Sequence, residues 1–597
     1  DLTLLHQNLL ETGMIVIETI PDDTLLIRIP IQFNSVNTLL ELNSMDEVRW
    51  AGEMPISWRV SPQIASIAGR SSITVDLDIT PAPDLTASEI KELQSDLESV
   101  SETPFGRNVC DFHLCQPKSV NAIWIPVLAM DGRILHINEA SRLTIHNSVA
   151  SDIAGINQAL IDSANSLNGS GEVIAISDTG LDADHGDFDG RVRAVYNQFG
   201  PDNSASDSNS GHGTHVAATL LGDGSGDISA LGMVPAATFH FYQLEVDSSG
   251  ILARWGSLYD MFSHAWQNSA RIQTNSWGNE NLLGEYSSDS RSADAFIVDN
   301  PRFLVLFSSG DLGEDGTNTV TPPGSAKNVL TIGASTTGSM GSDPEGSVPS
   351  FSSKGSTLDG RIKPDLVAPG VMLCSARAEE ATSAQGESCS SSTHSDGSTP
   401  LYMALNGSSM ATAVAAGAAT MVRQYLRSDV GITEPRSDLI KALLVNGAED
   451  IGEANIPNPS EGWGQVDVAN SISPEDDGTD LDLLFDDSRA LDPGHSFVYT
   501  FVVDSSTDFD VTLAWVDREA SVIANQSAAK LVNDLDLTAT SPDGTVYHGN
   551  VFSNGFSTTG GIADRLNNVE RIKIPAGNGG IWSISVGHAG GMTQSFA

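Results

Sequence analysis

Cysteine is scarce: the 597 residues hold four, at positions 110, 115, 374 and 389. That number excludes a disulfide-dense scaffold. The four fall in two local pairs, Cys110 with Cys115 and Cys374 with Cys389, one of three possible connectivities and the one favoured here. The cluster Cys110-Asp-Phe-His113-Leu-Cys115 has metal-binding residue types, yet its spacing fits no common zinc pattern and no second half-site follows. Positive charge is also thin. Thirty Lys plus Arg stand against 77 Asp plus Glu, a formal net charge of −47. Such a chain repels phosphate backbones and anionic lipid, so neither nucleic acid nor a membrane is an expected partner. No run of about 18 uncharged apolar residues occurs, which predicts no transmembrane helix. The chain opens at Asp1 without a signal peptide, as a secreted precursor stripped of its signal would. A secreted, extracellular setting, salt-tolerant or rich in calcium, suits the acidity.

What the chain does have is length. It predicts roughly three or four domains and a large buried sheet that needs no covalent staples. Three short stretches then carry chemistry: Ile174-Ala-Ile-Ser-Asp178-Thr-Gly180, Gly211-His212-Gly-Thr-His215-Val-Ala217, and Asn406-Gly-Ser-Ser409-Met-Ala-Thr-Ala413. Each sets one member of an Asp, His, Ser set beside glycine or another small residue, where a turn can present a side chain at a sheet edge. A serine hydroxyl attacks a carbonyl only when a histidine takes its proton, and that histidine needs a carboxylate to hold its tautomer. Taken singly, the stretches are also an ordinary strand-to-turn sequence, a metal-type His-x-x-His and a plain helix start. The set of three, in the order Asp178, His212, Ser409, is what points to a hydrolase. By chemistry alone His215, one helical turn on, rivals His212.

That order and those neighbours resemble the subtilisin-like serine proteases, the subtilases. Further stretches are similar to the oxidatively stable alkaline protease group: Thr274-Asn-Ser-Trp-Gly278, Gly360-Arg-Ile-Lys-Pro-Asp-Leu-Val-Ala-Pro-Gly370, Glu461-Gly-Trp-Gly464, Trp515-Val-Asp517, Leu531-Val-Asn-Asp-Leu-Asp-Leu537 and Arg565-Leu-Asn-Asn-Val-Glu570. The resemblance implies a serine endopeptidase acting on protein or peptide substrates. In it Asp178 orients, His212 is the general base, Ser409 is the nucleophile and His215 is structural. It also implies a substrate groove including Ser276, Trp277 and Gly278, whose backbone pairs with an extended peptide. Structural calcium is implied too, and Asp517, Asn533, Asp534, Asp536 and Asn568 offer hard oxygen ligands for it. A monomer is expected.

The chain divides accordingly. Residues 1–146 read as a propeptide-like α+β region of two units. One runs from Met14 to Trp50 with strands at Met14–Glu18, Leu25–Ile29 and Val48–Trp50. The other has strands at Ile73–Leu77, Ala122–Pro126 and Arg133–Ile137 and a helix over Ser88–Val100. The resemblance makes this region an intramolecular inhibitor and folding aid, with maturation near His146-Asn147. Residues 147–472 read as the α/β catalytic domain, a parallel sheet with helices on both faces. Its strands begin at Val173, Thr238, Ile272, Phe303 and Val329, and a long alanine-rich helix covers Met410–Arg427. Residues 473–597 read as an all-β sandwich, a jelly roll by the resemblance. Carbohydrate binding by this part would rest on fold analogy alone.

One residue departs from the family. Acyl transfer needs donors aimed at the oxyanion, and the family supplies an asparagine amide. Here Phe303-Leu-Val-Leu-Phe-Ser-Ser-Gly310 leads into Asp311. An ionised aspartate only accepts hydrogen bonds; protonated, it donates one. Asp311 therefore predicts activity that is low or acid-dependent, as in the sedolisin relatives that use aspartate for this role, or a residue changed to trap a precursor. The alternative is a weak or inactive protease fold acting as a binding module.

Overall fold

The computed structural model describes Leu5, Leu9 and residues 12–20, 24–30, 35–45, 48–71, 73–101, 110–139, 143–145, 153–156, 167–201, 203–337, 346–384, 386–452, 454–472, 483–506 and 508–597. Its centre is a seven-stranded sheet. In spatial order the strands are Leu366–Pro369, Leu330–Ser335, Leu304–Ser308, Ile272–Asn275, Val173–Asp178, Thr238–Gln243 and Val192–Tyr196. All neighbours are parallel. Alternate side chains of one strand serve opposite faces: Ile174 and Ile176 enter one core, Val173 and Ala175 the other. That is why these strands are unbroken apolar runs. Helices His212–Leu221, Ser408–Ser428 and Ser437–Asn446 cover the first face, and Leu258–Gln267 and Ser288–Asp299 the second. The Ser408–Ser428 helix is buried almost all round, so alanines and Gly417 line it; a Cβ on Gly417 would lie 2.3 Å from Met233 Cβ.

Toward the N-terminus, a hairpin of Ile15–Ile20 and Thr24–Arg28 and a helix Ser35–Leu42 form one small unit. The strand expected at Val48–Trp50 is absent. A second unit has the antiparallel pair Leu77–Pro81 and Ile134–Glu139 and the helix Ala87–Val100. Thr86 and Glu89 close that helix with reciprocal hydrogen bonds, its Ile90, Leu93 and Leu97 facing the sheet. The expected strand at Ala122–Pro126 is instead a helical turn, Ala122–Trp124 running into Ile125–Leu128. Asn121 caps it at Ile123 N (3.1 Å), and Pro126 sits in the first turn, where its missing N–H costs nothing. Both cysteine pairs are bonded as favoured, 110 to 115 and 374 to 389.

The C-terminal part is all-β and antiparallel, from Arg489–Leu491 to Gln594–Phe596. Along Ser496–Val503 exposed and half-buried positions alternate, and Trp515, Leu537, Ile572 and Trp582 fill the core. No helix among the described residues is long and apolar enough to cross a membrane.

Candidate active site

The strand Val173–Asp178 has Thr238–Gln243 on one side and Ile272–Asn275 on the other, so the chain reverses its direction of winding beside it. Ligand crevices in open α/β sheets form at such a point, beyond the carboxyl ends of the strands. Asp178 is the last residue of that strand and Asn275 the last of its neighbour. His212 is the first residue of its helix, and Ser409 the second residue of the helix that packs against it.

Asp178 Oδ1 lies 2.6 Å from His212 Nδ1, with both side chains fully buried. The same oxygen accepts from Thr179 N at 2.8 Å. A carboxylate at Nδ1 keeps the ring proton there and leaves Nε2 its lone pair. This geometry depends on glycine twice. A Cβ on Gly213 would lie 2.3 Å from Gly180 O, and one on Gly180 would lie 2.1 Å from Ser206 O. Asp-Thr-Gly and His-Gly-Thr-His are thus two chain segments in backbone contact.

A third segment ties them together. Gly211 precedes the histidine helix with φ of 73° and offers no side-chain cap. Thr179 Oγ1 accepts from Gly213 N (2.7 Å) and donates to Asp207 Oδ1 (2.8 Å), while Asp207 Oδ2 accepts from Thr214 N (2.8 Å). Asp207 supplies the missing cap. It is fully buried, and burial, with Glu245 adding to it, pushes its carboxyl up to about 7. Glu245 is itself raised by burial, with Asp247 and Asp178 contributing. The sequence reading missed Asp207; its one signal is an aspartate five residues before His212 in a polar loop. His215 is spoken for elsewhere. Its Nε2 meets Leu373 O and Met403 O, both at 3.1 Å, and burial draws its pKa down to about 3.

Ser409 Oγ donates to Ser276 O at 3.3 Å, and Ser276 Oγ donates to Ser409 O at 3.0 Å. The helix amino terminus favours negative charge developing at this serine. Beside it, Gly310 N donates to Ser408 Oγ at 3.2 Å, and Asp311 Oδ1 accepts from Ser408 N at 2.9 Å. Asp311 is therefore hydrogen-bonded to the residue next to the serine.

Trp277 and Gly278 offer backbone only. The Trp277 indole is fully buried, donating to Ser177 O at 3.1 Å with its ring 5.2 Å from Phe307. Their strand, Trp277–Asn279, pairs antiparallel with Leu143–Ile145 of the N-terminal region, Gly278 opposite Thr144 and Trp277 opposite Ile145. On its other side Leu143 pairs with Leu252. The segment is an inner strand of a four-stranded sheet. His146-Asn147 lies outside the described residues.

The five oxygen-bearing residues expected to hold calcium are engaged with protein partners instead. Asp517 is fully buried in an ion pair with Lys327 Nζ at 2.5 Å and accepts from Val532 N and Asn533 N. Asn533 binds Met592 N (2.8 Å) and Gln594 Oε1 (2.6 Å), and Asn568 donates to Asn328 Oδ1 and Trp515 O. Asp534 and Asp536 share the Arg565 guanidinium. Carboxylates already matched by lysine or arginine do not fit a calcium site. Among the described residues no group of three or more His, Cys, Asp or Glu side chains could hold a metal ion. Asp517 instead fastens the β-part to the peptidase sheet.

Comparison with known proteins agrees with this arrangement. The serine protease/ABC transporter B family protein tagA of Dictyostelium discoideum is 28% identical, over 72% of this chain and 30% of its own. Serine protease AprX of Bacillus subtilis (strain 168) is 28% identical, over 52% of this chain and 69% of its own. This chain spans less than a third of the Dictyostelium relatives it matches. Fervidolysin from Fervidobacterium pennivorans, a keratinolytic enzyme related to subtilisin, superposes with a TM-score of 0.51 at 17% identity, covering 84% of this chain and 69% of that one, a likeness of fold. Residues 169–464 match the subtilase family, so the stretch that brings Asp178 and His212 into contact and places Ser409 on the neighbouring helix is a subtilase domain, that of a subtilisin-like serine peptidase.

Proposed function

We propose that the chain is a secreted serine endopeptidase, made as a precursor, that cuts peptide bonds through an acyl-enzyme on Ser409. His212 Nε2 takes the hydroxyl proton as Oγ attacks the carbonyl and later returns it to the leaving amine; Asp178 holds the ring and its cation. Ser409 N and Asp311 face the oxyanion, and Asp311 donates only when protonated. Hydrolysis rises as pH falls toward the Asp311 pKa, until protonation of His212 removes the base. The observation that carries the reading is the 2.6 Å contact between two buried side chains 34 positions apart.

Residues 1–146 act as inhibitor and folding aid, 147–472 as the peptidase and 473–597 as a jelly-roll domain. The pairing of Leu143–Ile145 with Trp277–Asn279 supports the first of these, because an extended substrate would take the same place. Processing near His146-Asn147 would vacate it. Asp311 favours the second reading, a weak or inactive fold that binds rather than cuts.

The test is a fluorophosphonate probe, applied after incubation at pH 4 to 8, with casein hydrolysis and mass spectrometry of the amino terminus. Label on Ser409, lost in His212→Ala, together with casein cleavage and a new amino terminus near residue 147, is expected. A chain that stays unlabelled and unprocessed throughout belongs to the second reading.

A further inference from the structure

The strands Val371–Ala376 and Tyr402–Asn406 pair antiparallel between the central sheet and the Ser408–Ser428 helix, and the His212–Leu221 helix packs against them. His215 is the point of attachment. Its Nε2 donates to Leu373 O and Met403 O, one carbonyl from each strand, and its own carbonyl accepts from Ser375 Oγ at 2.9 Å. Beyond Ala376 the chain passes as a strap over residues 207–211, the turn that caps the histidine's helix. Asp207 N donates to Glu380 Oε1 at 3.1 Å, Thr382 N and Oγ1 both donate to Ser208 O at 3.0 Å, and Ser383 N donates to Asn209 O at 2.7 Å. Glu379 N donates to Asp182 Oδ2 (3.0 Å), and Asp182 N donates to Thr214 Oγ1 (2.9 Å) on the helix itself. Gly211 lies beneath the strap: a Cβ there would be 3.2 Å from Ala381 Cβ and 3.3 Å from Met403 Cε.

Apolar packing contributes little to this strap. Over residues 377–384 the buried apolar groups are the methyls of Ala378 and Ala381, while Glu379, Thr382 and Ser383 are exposed. Two methyl groups offset little of the entropy lost in fixing the segment. What closes it is the bond from Cys374, on the first strand, to Cys389, which follows the short strand Glu387–Ser388 on the far edge of Tyr402–Asn406. Such a tie removes conformations that the segment would otherwise sample. Cys389 is half-buried and follows exposed Ser388, so a small reductant can reach it.

We propose that this disulfide-closed strap positions the general base, acting through Glu380: with the Cys374–Cys389 bond intact it holds Asp207 and its neighbours over the amino end of the His212 helix, and a dithiol that opens the bond slows turnover. The dithiol gives up two electrons and two protons and becomes a disulfide, as both protein sulfurs become thiols. Glu380 is a positioning residue. It reaches His212 through the Asp207 N–H that it accepts and the cap that Asp207 makes. This holds only with His212 as the base, as proposed above.

Kinetics on the full chain after its own processing test this, with active enzyme titrated by a fluorophosphonate at Ser409 and Cys110→Ser/Cys115→Ser removing the other disulfide. Opening the bond, with dithiothreitol or in Cys374→Ser/Cys389→Ser, should lower kcat by at least about tenfold while KM stays within about twofold, because a misplaced base costs turnover rather than ground-state binding. Reoxidation should restore the reduced enzyme. Glu380→Ala, made with both disulfides intact, should lower kcat in the same way, and Glu380→Gln, whose amide oxygen accepts the same bond, should match the parent. Hydrogen exchange at residues 207–216 should speed about tenfold or more on reduction, whether or not the chain cleaves peptides. The strap is overturned by an unchanged kcat once alkylation shows both thiols free, by Glu380→Gln falling as far as Glu380→Ala, or by a loss carried in KM. A chain that never labels at Ser409 overturns the peptidase reading instead, and exchange then decides the strap: faster exchange on reduction leaves its hold on residues 207–211 standing, and no change overturns it.

Discussion

Asp311→Asn is the most informative single change at the serine. Asp311 Oδ1 accepts from Ser408 N at 2.9 Å, and an asparagine oxygen accepts the same bond, so the side chain keeps its position. What changes is the other terminal atom, from an oxygen that donates only when protonated to an amide that always donates. One such donor is worth about 10² to 10³ in kcat, or about 2.7 to 4 kcal/mol. A rise of at least about tenfold in kcat at pH 7.5 is therefore expected. The gain should sit in kcat with KM little changed, because the bond forms to the oxyanion rather than to the bound carbonyl. It should shrink as pH falls, where wild-type Asp311 carries its own proton. Steady-state kinetics on an internally quenched peptide from pH 4 to 8, with self-processed enzyme of both kinds titrated at Ser409, reads this directly. A variant that titrates fully yet shows no gain at neutral pH would refute the assignment of Asp311 to the oxyanion.

Other changes test the frame around the site. Asp207 is a buried acid raised to about 7, so the folded state holds its proton more tightly than the unfolded chain and stability falls as pH rises from about 4 to 7. Asp207→Asn in the Ser409→Ala background should flatten that slope, seen as a smaller Tm difference between pH 5 and pH 7.5; an unchanged difference counts against it. Gly213→Ala puts a methyl 2.3 Å from Gly180 O and 2.8 Å from Phe241 Cζ, so casein hydrolysis should fall by at least about 100-fold as Asp178 and His212 are forced apart. Activity near wild type would show that the backbone contact is dispensable. Lys327→Met leaves Asp517 charged and buried, at a cost of about 3 to 5 kcal/mol in urea denaturation, and adding Asp517→Leu should recover most of it. Full additivity of the two changes would mean that the pair is not coupled.

The residues that were legible in the sequence are those whose neighbours in the chain carry the constraint. Val173-Ile-Ala-Ile and Phe303-Leu-Val-Leu-Phe predict buried parallel strands because both faces of the sheet are covered. Val192–Tyr196 escapes that pattern because it is an edge strand with Arg193 exposed, and Leu366–Pro369 because it is four residues ending in proline. Ala122–Pro126 has a strand's composition, but a cap at Asn121 decides for a turn. Asp178, His212 and Ser409 are readable because each needs small residues beside it. Asp207 is not, since a carboxylate among serines looks like a solvated loop until the fold buries it. Asp517 misleads in the opposite way: its cation is a lysine 190 positions away, which no local pattern reveals.

The inner position of Leu143–Ile145, hemmed by Ile251–Leu252 on one flank and Trp277–Asn279 on the other, has a consequence for any polypeptide that replaces it. A guest must enter as a bare ribbon with both of its hydrogen-bonding rims vacant. Segments knitted into a helix or a sheet of their own are refused until they fray. What such a slot senses first is how readily a protein lets a stretch of itself come loose, before any side chain has been inspected.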